Sequence, residues 1–154
     1  MHIHFVCSGN VYRSRIGEAY FNSKAPEGMK ATSSGIAAIE NRLTFGPIVW
    51  YAMRIIFNND LVPFMSFAQQ QTTREVLEQA DIVVFMQDIH YFYARDILQT
   101  EPKKSLVWNI GDVHGQDFSE MSQEDREKTI IETTEKTFSH IKNQVDRLLE
   151  DVQK

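Results

Sequence analysis

Residues Ile82-Val83-Val84-Phe85-Met86 form an uninterrupted apolar run, and a strand without polar alternation has to be covered on both faces, as in a parallel sheet. Other segments fit the same sheet. His2–Val6 is a short β-branched and aromatic run, Lys30–Ser34 a second candidate strand stopped by Gly35, and Ser105–Trp108 a fourth. Helical spacing lies between them. Ser14 to about Ser23 places Ile16, Ala19 and Tyr20 on one side, residues 46–57 are helix-compatible with Pro47 near the first turn, and Asp88 to about Leu98 reads as helix. Thr72-Thr73-Arg74-Glu75 fits a capping box opening a short helix to about Ala80. Ser122 caps a final helix in which Ile131, Thr134, Phe138, Ile141, Val145, Leu148 and Val152 recur at intervals of three and four. Residues 36–45 and 109–121 are expected to be the longest irregular stretches.

The order is βαβαβαβα with one short extra helix, which predicts a parallel sheet with helices on both faces and right-handed crossovers. Ligands of such sheets bind beyond the carboxyl ends of the strands. The loop after the first strand is therefore the candidate site, and it contains the only cysteine, Cys7.

Composition narrows the function classes. A chain of 154 residues, 42% hydrophobic, suits one domain spanning 1–154. No apolar run approaches a bilayer span, and no basic region followed by a long apolar stretch opens the chain, so a cytoplasmic protein without membrane contact is expected. The net charge of -5 is uneven: residues 1–58 carry six Lys/Arg against three Asp/Glu, and residues 59–154 ten against eighteen. Neither part has the basic run of a nucleic-acid partner. One cysteine makes neither an internal disulfide nor a multi-thiolate zinc site, leaving a bystander thiol or a chemical one.

The residues around it favour chemistry. Cys7-Ser8-Gly9-Asn10-Val11-Tyr12-Arg13-Ser14 is a C-x5-R-S loop between a strand and a helix. Ser8 to Arg13 include no proline, so every backbone N–H can converge on a tetrahedral oxyanion without a metal or other cofactor. Gly9 and Asn10 tolerate the left-handed angles that such a curl needs. Arg13 offers a planar fork for two oxygens. The same donors favour a thiolate, making Cys7 the candidate nucleophile, and the Ser14 hydroxyl can donate to its sulfur. Gly, Asn, Arg and Ser at fixed offsets from the only cysteine coincide by chance on the order of once in 100,000. The bland alternative is a buried thiol ending a strand beside a surface arginine.

These residues resemble the loop C-x-G-N-x-C-R-S-P of the low-molecular-weight protein tyrosine phosphatases. The resemblance continues through Ser33-Ser34-Gly35, similar to the family's Ser-Ala-Gly, through Ala80 to Met86, and through Asn109-Ile110-Gly111-Asp112-Val113-His114-Gly115, similar to its acid loop. It implies a four-stranded parallel sheet of order 2-1-3-4 in a flavodoxin-like three-layer architecture, and two-step hydrolysis of a phosphomonoester, phosphotyrosine in proteins above all. By resemblance Cys7 attacks phosphorus, Arg13 and the loop from Ser8 to Tyr12 hold the phosphoryl oxygens, and Asp112 protonates the leaving oxygen. Ser14 and Ser33 are implied as supports, with Asn10 holding the curl. Spacing alone does not separate Asp112 from Asp117.

The sequence departs from the pattern at several positions. Tyr12 replaces a second cysteine, and Arg15 and Val113 replace prolines. His114 and Ile39 stand where aromatic residues commonly flank a phenyl ring. Val11 replaces the Thr of members acting on phosphoarginine and favours the tyrosine type, though packing under the loop explains it equally well. Phosphoarginine hydrolysis and a non-catalytic phosphate-sensing module are the alternatives. Arsenate reductases of the same fold need additional cysteines. His2 and His4 share one strand face, where a metal pair competes with histidines bonded to their neighbours. Trp50, Tyr51, Phe64 and Phe67 read as core or loop packing.

Overall fold

The computed structural model describes residues 1–153, with the backbone alone of His114. Four parallel strands, β1 (His2–Cys7), β2 (Lys30–Gly35), β3 (Ile82–Phe85) and β4 (Ser105–Val107), form one sheet in the order β2-β1-β3-β4. In β3 all four side chains are buried. Its alternation explains the layers: Ile82 and Val84 join Ile3, Phe5, Ile16, Phe21, Ile141 and Val145 on one side, whereas Val83 and Phe85 join Val6, Leu77, Ala80 and Ala94 on the other. Helices α1 (Arg13–Lys24), α3 (Trp50–Asn58) and α6 (Gln123–Val152) supply the first layer.

α6 begins where expected. The Ser122 hydroxyl accepts from the Asp125 N–H at 3.1 Å, and Glu124 and Asp125 bring negative charge to the positive end of the helix. Of its predicted stripe, Thr134, Phe138, Ile141, Val145 and Leu148 are buried, and Ile131 and Val152 half-buried. Among the described residues no helix is long and apolar enough to cross a membrane.

Four expectations need correction. Residues 38–45, expected to be irregular, form α2 (Ala38–Phe45). Only Ala38 is buried there, and Ile39 and Leu43 are 64% and 97% exposed, so no core-facing stripe marks the helix in the sequence. α3 starts at Trp50 rather than near Pro47, because Val49 is extended and spends its N–H on the Val11 carbonyl at 3.1 Å. The cap of α4 (Arg74–Gln79) is Thr73, whose hydroxyl accepts from the Val76 N–H. Thr72 is unavailable for that cap, since its hydroxyl pairs with Ser34 Oγ at 2.7 Å. The helix from Asp88 is also not uniform. α5 (Asp88–Phe92) widens into a π turn over Tyr93–Ile97, closed by the Leu98 N–H on the Tyr93 carbonyl.

His2 and His4 are held by hydroxyls. His2 Nε2 and His4 Nδ1 share Thr32 Oγ1 at 2.7 and 2.6 Å, and His4 Nε2 meets Ser34 Oγ at 2.7 Å. Burial lowers the His4 pKa to about 3, with His2 adding a smaller repulsion. Of the four aromatic residues read as packing, Tyr51 is buried, whereas Trp50, Phe64 and Phe67 are 49%, 40% and 71% exposed.

Candidate active site

The end of β1 delivers Cys7, and α1 begins six residues later at Arg13, so the intervening loop has to curl tightly. Asn10 makes the curl with φ +55°, a left-handed angle that asparagine tolerates. Gly9 does not use one. The loop carbonyls turn outward: Cys7, Ser8 and Val11 accept from the N–H groups of Ile36, Ala37 and Val49, and Gly9 accepts from Gln69 Nε2 at 2.6 Å. With the carbonyls committed outward, the amide N–H groups are left for the concave side.

Register brings β2 to the back of this loop, pairing Cys7 with Gly35 and Phe5 with Ser33. Gly35 is pressed so closely that an added Cβ would lie 2.5 Å from Asn10 N and 2.7 Å from Ser8 O. Asn10 Nδ2 donates to Ser33 Oγ at 2.9 Å and to Ser14 Oγ at 3.0 Å, while its Oδ1 accepts from the Gln70 N–H at 2.8 Å. Because Ser14 Oγ accepts from Asn10, its own proton is available to Cys7 Sγ, 3.0 Å away. The Ser33 hydroxyl donates to buried Glu18, which also accepts from the Ser66 backbone and hydroxyl.

Arg13 is 1% exposed. Nη1 donates to Gln87 Oε1 and to the Ile110 carbonyl, both at 2.7 Å, and Nη2 to Asp112 Oδ2 at 2.6 Å and more weakly to Ser8 Oγ at 3.4 Å. Its buried Nε has no hydrogen-bond partner among the described residues. The Asp112 segment is anchored by the Ile110 N–H on the Met86 carbonyl at 2.7 Å, and by Val113, which is 1% exposed. Asp117 is elsewhere: it faces solvent and accepts from the Ser119 N–H, a bond that lowers its pKa.

Ser8, Gly9, Val11 and Asp112 line a cleft of about 230 Å³ together with Asn41 and Phe45 of α2. Ile39 does not line it, and its 64% exposed side chain replaces no pocket wall. The side chain of His114, the other position where an aromatic was looked for, lies outside the described residues. Tyr12 is buried under the loop, edge-on to Tyr51 at 5.0 Å, and burial pushes the hydroxyls of both upward. Arg15 is 1% exposed and donates to the carbonyls of Ala68, Pro47 and Phe67. Burial lowers its pKa, and Glu18 and Cys7 counter that by attraction. It thus fastens two segments beside the loop.

The structure brings Cys7 through Ser14, Ser33 and Asp112 into one constellation. Sequence reasoning missed Asn41, Phe45, Gln69, Gln70, Gln87 and His90. The available signal was the four-residue spacing of Asn41 and Phe45, which shares a helix face once α2 is recognised.

The chain matches the family described as low molecular weight phosphotyrosine protein phosphatase over residues 2–154. No curated protein matches it in sequence. A low molecular weight protein tyrosine phosphatase from T. tengcongensis has a TM-score of 0.74 at 24% identity, with 98% of this chain and 99% of that one covered. A YwlE mutant from Bacillus subtilis gives 0.74 at 22%, covering 100% and 99%. The YwlE arginine phosphatase from Geobacillus stearothermophilus gives 0.69 at 19%, covering 99% and 92%. With the family matched across nearly its whole length, the chain belongs to the low molecular weight phosphotyrosine protein phosphatases.

Proposed function

We propose that the protein hydrolyses phosphotyrosine in protein substrates through a phosphocysteine intermediate. The observation that carries this reading is the buried chain Asn10 to Ser14 to Cys7, which points a hydroxyl proton at the sulfur on the loop that also ends in Arg13. In the first step the Cys7 thiolate attacks phosphorus, the bond from phosphorus to the leaving oxygen breaks, and Asp112 gives that oxygen its proton. In the second, the Asp112 carboxylate takes a proton from water, the water oxygen attacks phosphorus, and the bond to sulfur breaks to release inorganic phosphate. Loop amides from Ser8 to Tyr12 and the Arg13 guanidinium stabilise the equatorial oxygens. Arg13 Nη2 exchanges Asp112 for a phosphoryl oxygen as the substrate enters, freeing the carboxyl to serve the leaving group.

Phe45 and Val11 favour an aryl leaving group, because they give the cleft apolar walls beside Asp112. The second reading, phosphoarginine, draws on the polar Asn41 and Asp112 in the same cleft and on the likeness to an arginine phosphatase. Turnover of p-nitrophenyl phosphate in EDTA tests catalysis without metal, and its absence would favour a phosphate-sensing module. Competition among phosphotyrosine, phosphoarginine and phosphoserine peptides tests the leaving group. Preferential hydrolysis of phosphoarginine would overturn the tyrosine assignment.

A further inference from the structure

His90, in α5, is fully buried beside the loop. Its Nδ1 lies 3.1 Å from the backbone N of Gln87. A backbone N–H can only donate, so Nδ1 is the acceptor and the ring proton sits on Nε2. Burial, with a smaller contribution from the Arg13 charge, holds the His90 pKa at about 3, which keeps the ring in this neutral form near pH 7. Nε2–H therefore donates to Ser8 Oγ, 3.0 Å away.

A second donor approaches the same oxygen, since Arg13 Nη2 is 3.4 Å from it. A serine hydroxyl has two lone pairs and one proton. When both lone pairs face buried donors, the proton is driven to the remaining tetrahedral position. Ser8 lines the cleft with Gly9, Val11 and Asp112, which puts its hydroxyl on the loop that would cradle an oxyanion.

We propose that Ser8 contacts the phosphoryl group through its side chain, its hydroxyl proton aimed by His90 at a phosphoryl oxygen, and that His90 is a positioning residue for this donor. The proposal rests on the phosphatase reading above. It adds a side-chain donor to a cradle otherwise made of backbone amides and one guanidinium. A hydroxyl free to rotate would point elsewhere part of the time. One held by two donors is prearranged, and hydrogen bonds to a charged acceptor are the stronger ones.

The test is a double-mutant cycle on the full chain with inorganic phosphate as the probe, read as its inhibition constant and by phosphorus NMR. Ser8→Ala should weaken phosphate binding about tenfold, the cost of one hydrogen bond to an anion. His90→Phe should weaken it several-fold in the natural background and leave it unchanged in the Ser8→Ala background, because a positioning residue has nothing left to position. His90→Gln, which keeps a donor and an acceptor, should recover most of the loss. Phosphate affinity within twofold of the parent in Ser8→Ala would overturn the proposal, as would an equal His90→Phe loss in both backgrounds. If His90→Phe does not fold, Ser8→Ala and His90→Gln still decide: an unchanged Ser8→Ala overturns it. Failure of the parent protein to take up phosphate would overturn the phosphatase reading and this one together, whereas normal uptake with an indifferent Ser8→Ala variant overturns this one alone.

Discussion

Arg13 and Asp112, 99 residues apart in sequence, meet at 2.6 Å between Nη2 and Oδ2, with the guanidinium buried and the carboxylate 26% exposed. The contact joins the proposed anion fork to the proposed acid. If Asp112 protonates the leaving oxygen, Asp112→Asn should slow phenyl phosphate about 100-fold or more and p-nitrophenyl phosphate much less, since the better leaving group needs less help. Asp117→Asn should change neither by more than about twofold. A leaving-group series settles it: equal slowing across the series would place the acid elsewhere.

Cys7→Ser should remove turnover while phosphate or vanadate still binds, because serine is a poor nucleophile at neutral pH and the loop amides are untouched. Calorimetry with vanadate alongside p-nitrophenyl phosphate kinetics checks both halves. Residual turnover above a few per cent would contradict the nucleophile assignment.

For Arg13→Lys, kcat should fall about 100-fold or more, while phosphate affinity falls less. A point charge cannot serve two oxygens in one plane, and the planar fork also spans Gln87, Ile110 and Asp112. Steady-state kinetics with phosphate inhibition separates the two effects, and a near-normal kcat would show that the fork is not used.

Gly35→Ala tests the back of the loop. A methyl group would meet Asn10 N at 2.5 Å, Gly9 C at 2.6 Å and Ser8 O at 2.7 Å, all backbone atoms that cannot swing aside. A loss of about 1–3 kcal/mol in unfolding free energy is expected, together with a loss of phosphate affinity as the curl is displaced. Urea melts and phosphate titration measure the pair, and an unaffected variant would mean that the loop yields freely.

Acid should destabilise the fold through two histidines. His4 and His90 have folded pKa values lowered to about 3, mainly by burial, below the ordinary 6.5 of an unfolded chain. The unfolded state therefore binds protons first, so their contribution is complete above about pH 6.5 and is lost as the pH falls toward 3. Urea midpoints should drop between pH 7 and pH 5, and His90→Gln should flatten part of that drop.

The parts of the molecule legible from sequence were those whose signal is local or periodic. The apolar β3 run, the α6 stripe and the C-x5-R-S loop each carry their pattern within a few turns or a few residues. α2 was not legible, because Ile39 and Leu43 face solvent and leave no amphipathic stripe to read. Gln69, Gln70 and His90 were not legible for another reason. Each reaches the loop from a distant segment, Gln70 through its backbone N–H and the other two through their side chains, and none of these groups in isolation gives a sign of which oxygen it will meet. Asp112 stood out from Asp117 only through family likeness, and the structure adds its contact with Arg13.

The clamps on Cys7 to Ser14 bear on the order in which the protein acquires its parts. The motif is eight residues long, yet Gly9 and Asn10 are fastened by Gln69 and Gln70 across 60 residues, and Arg13 by Ile110 across 97. Contacts of such sequence separation require large loops to close first. During refolding, helical signal should therefore return before phosphate affinity does, and a nascent chain still lacking residues 66–112 carries the whole motif without the Gln69, Gln70, Ile110 and Asp112 contacts that complete its hold.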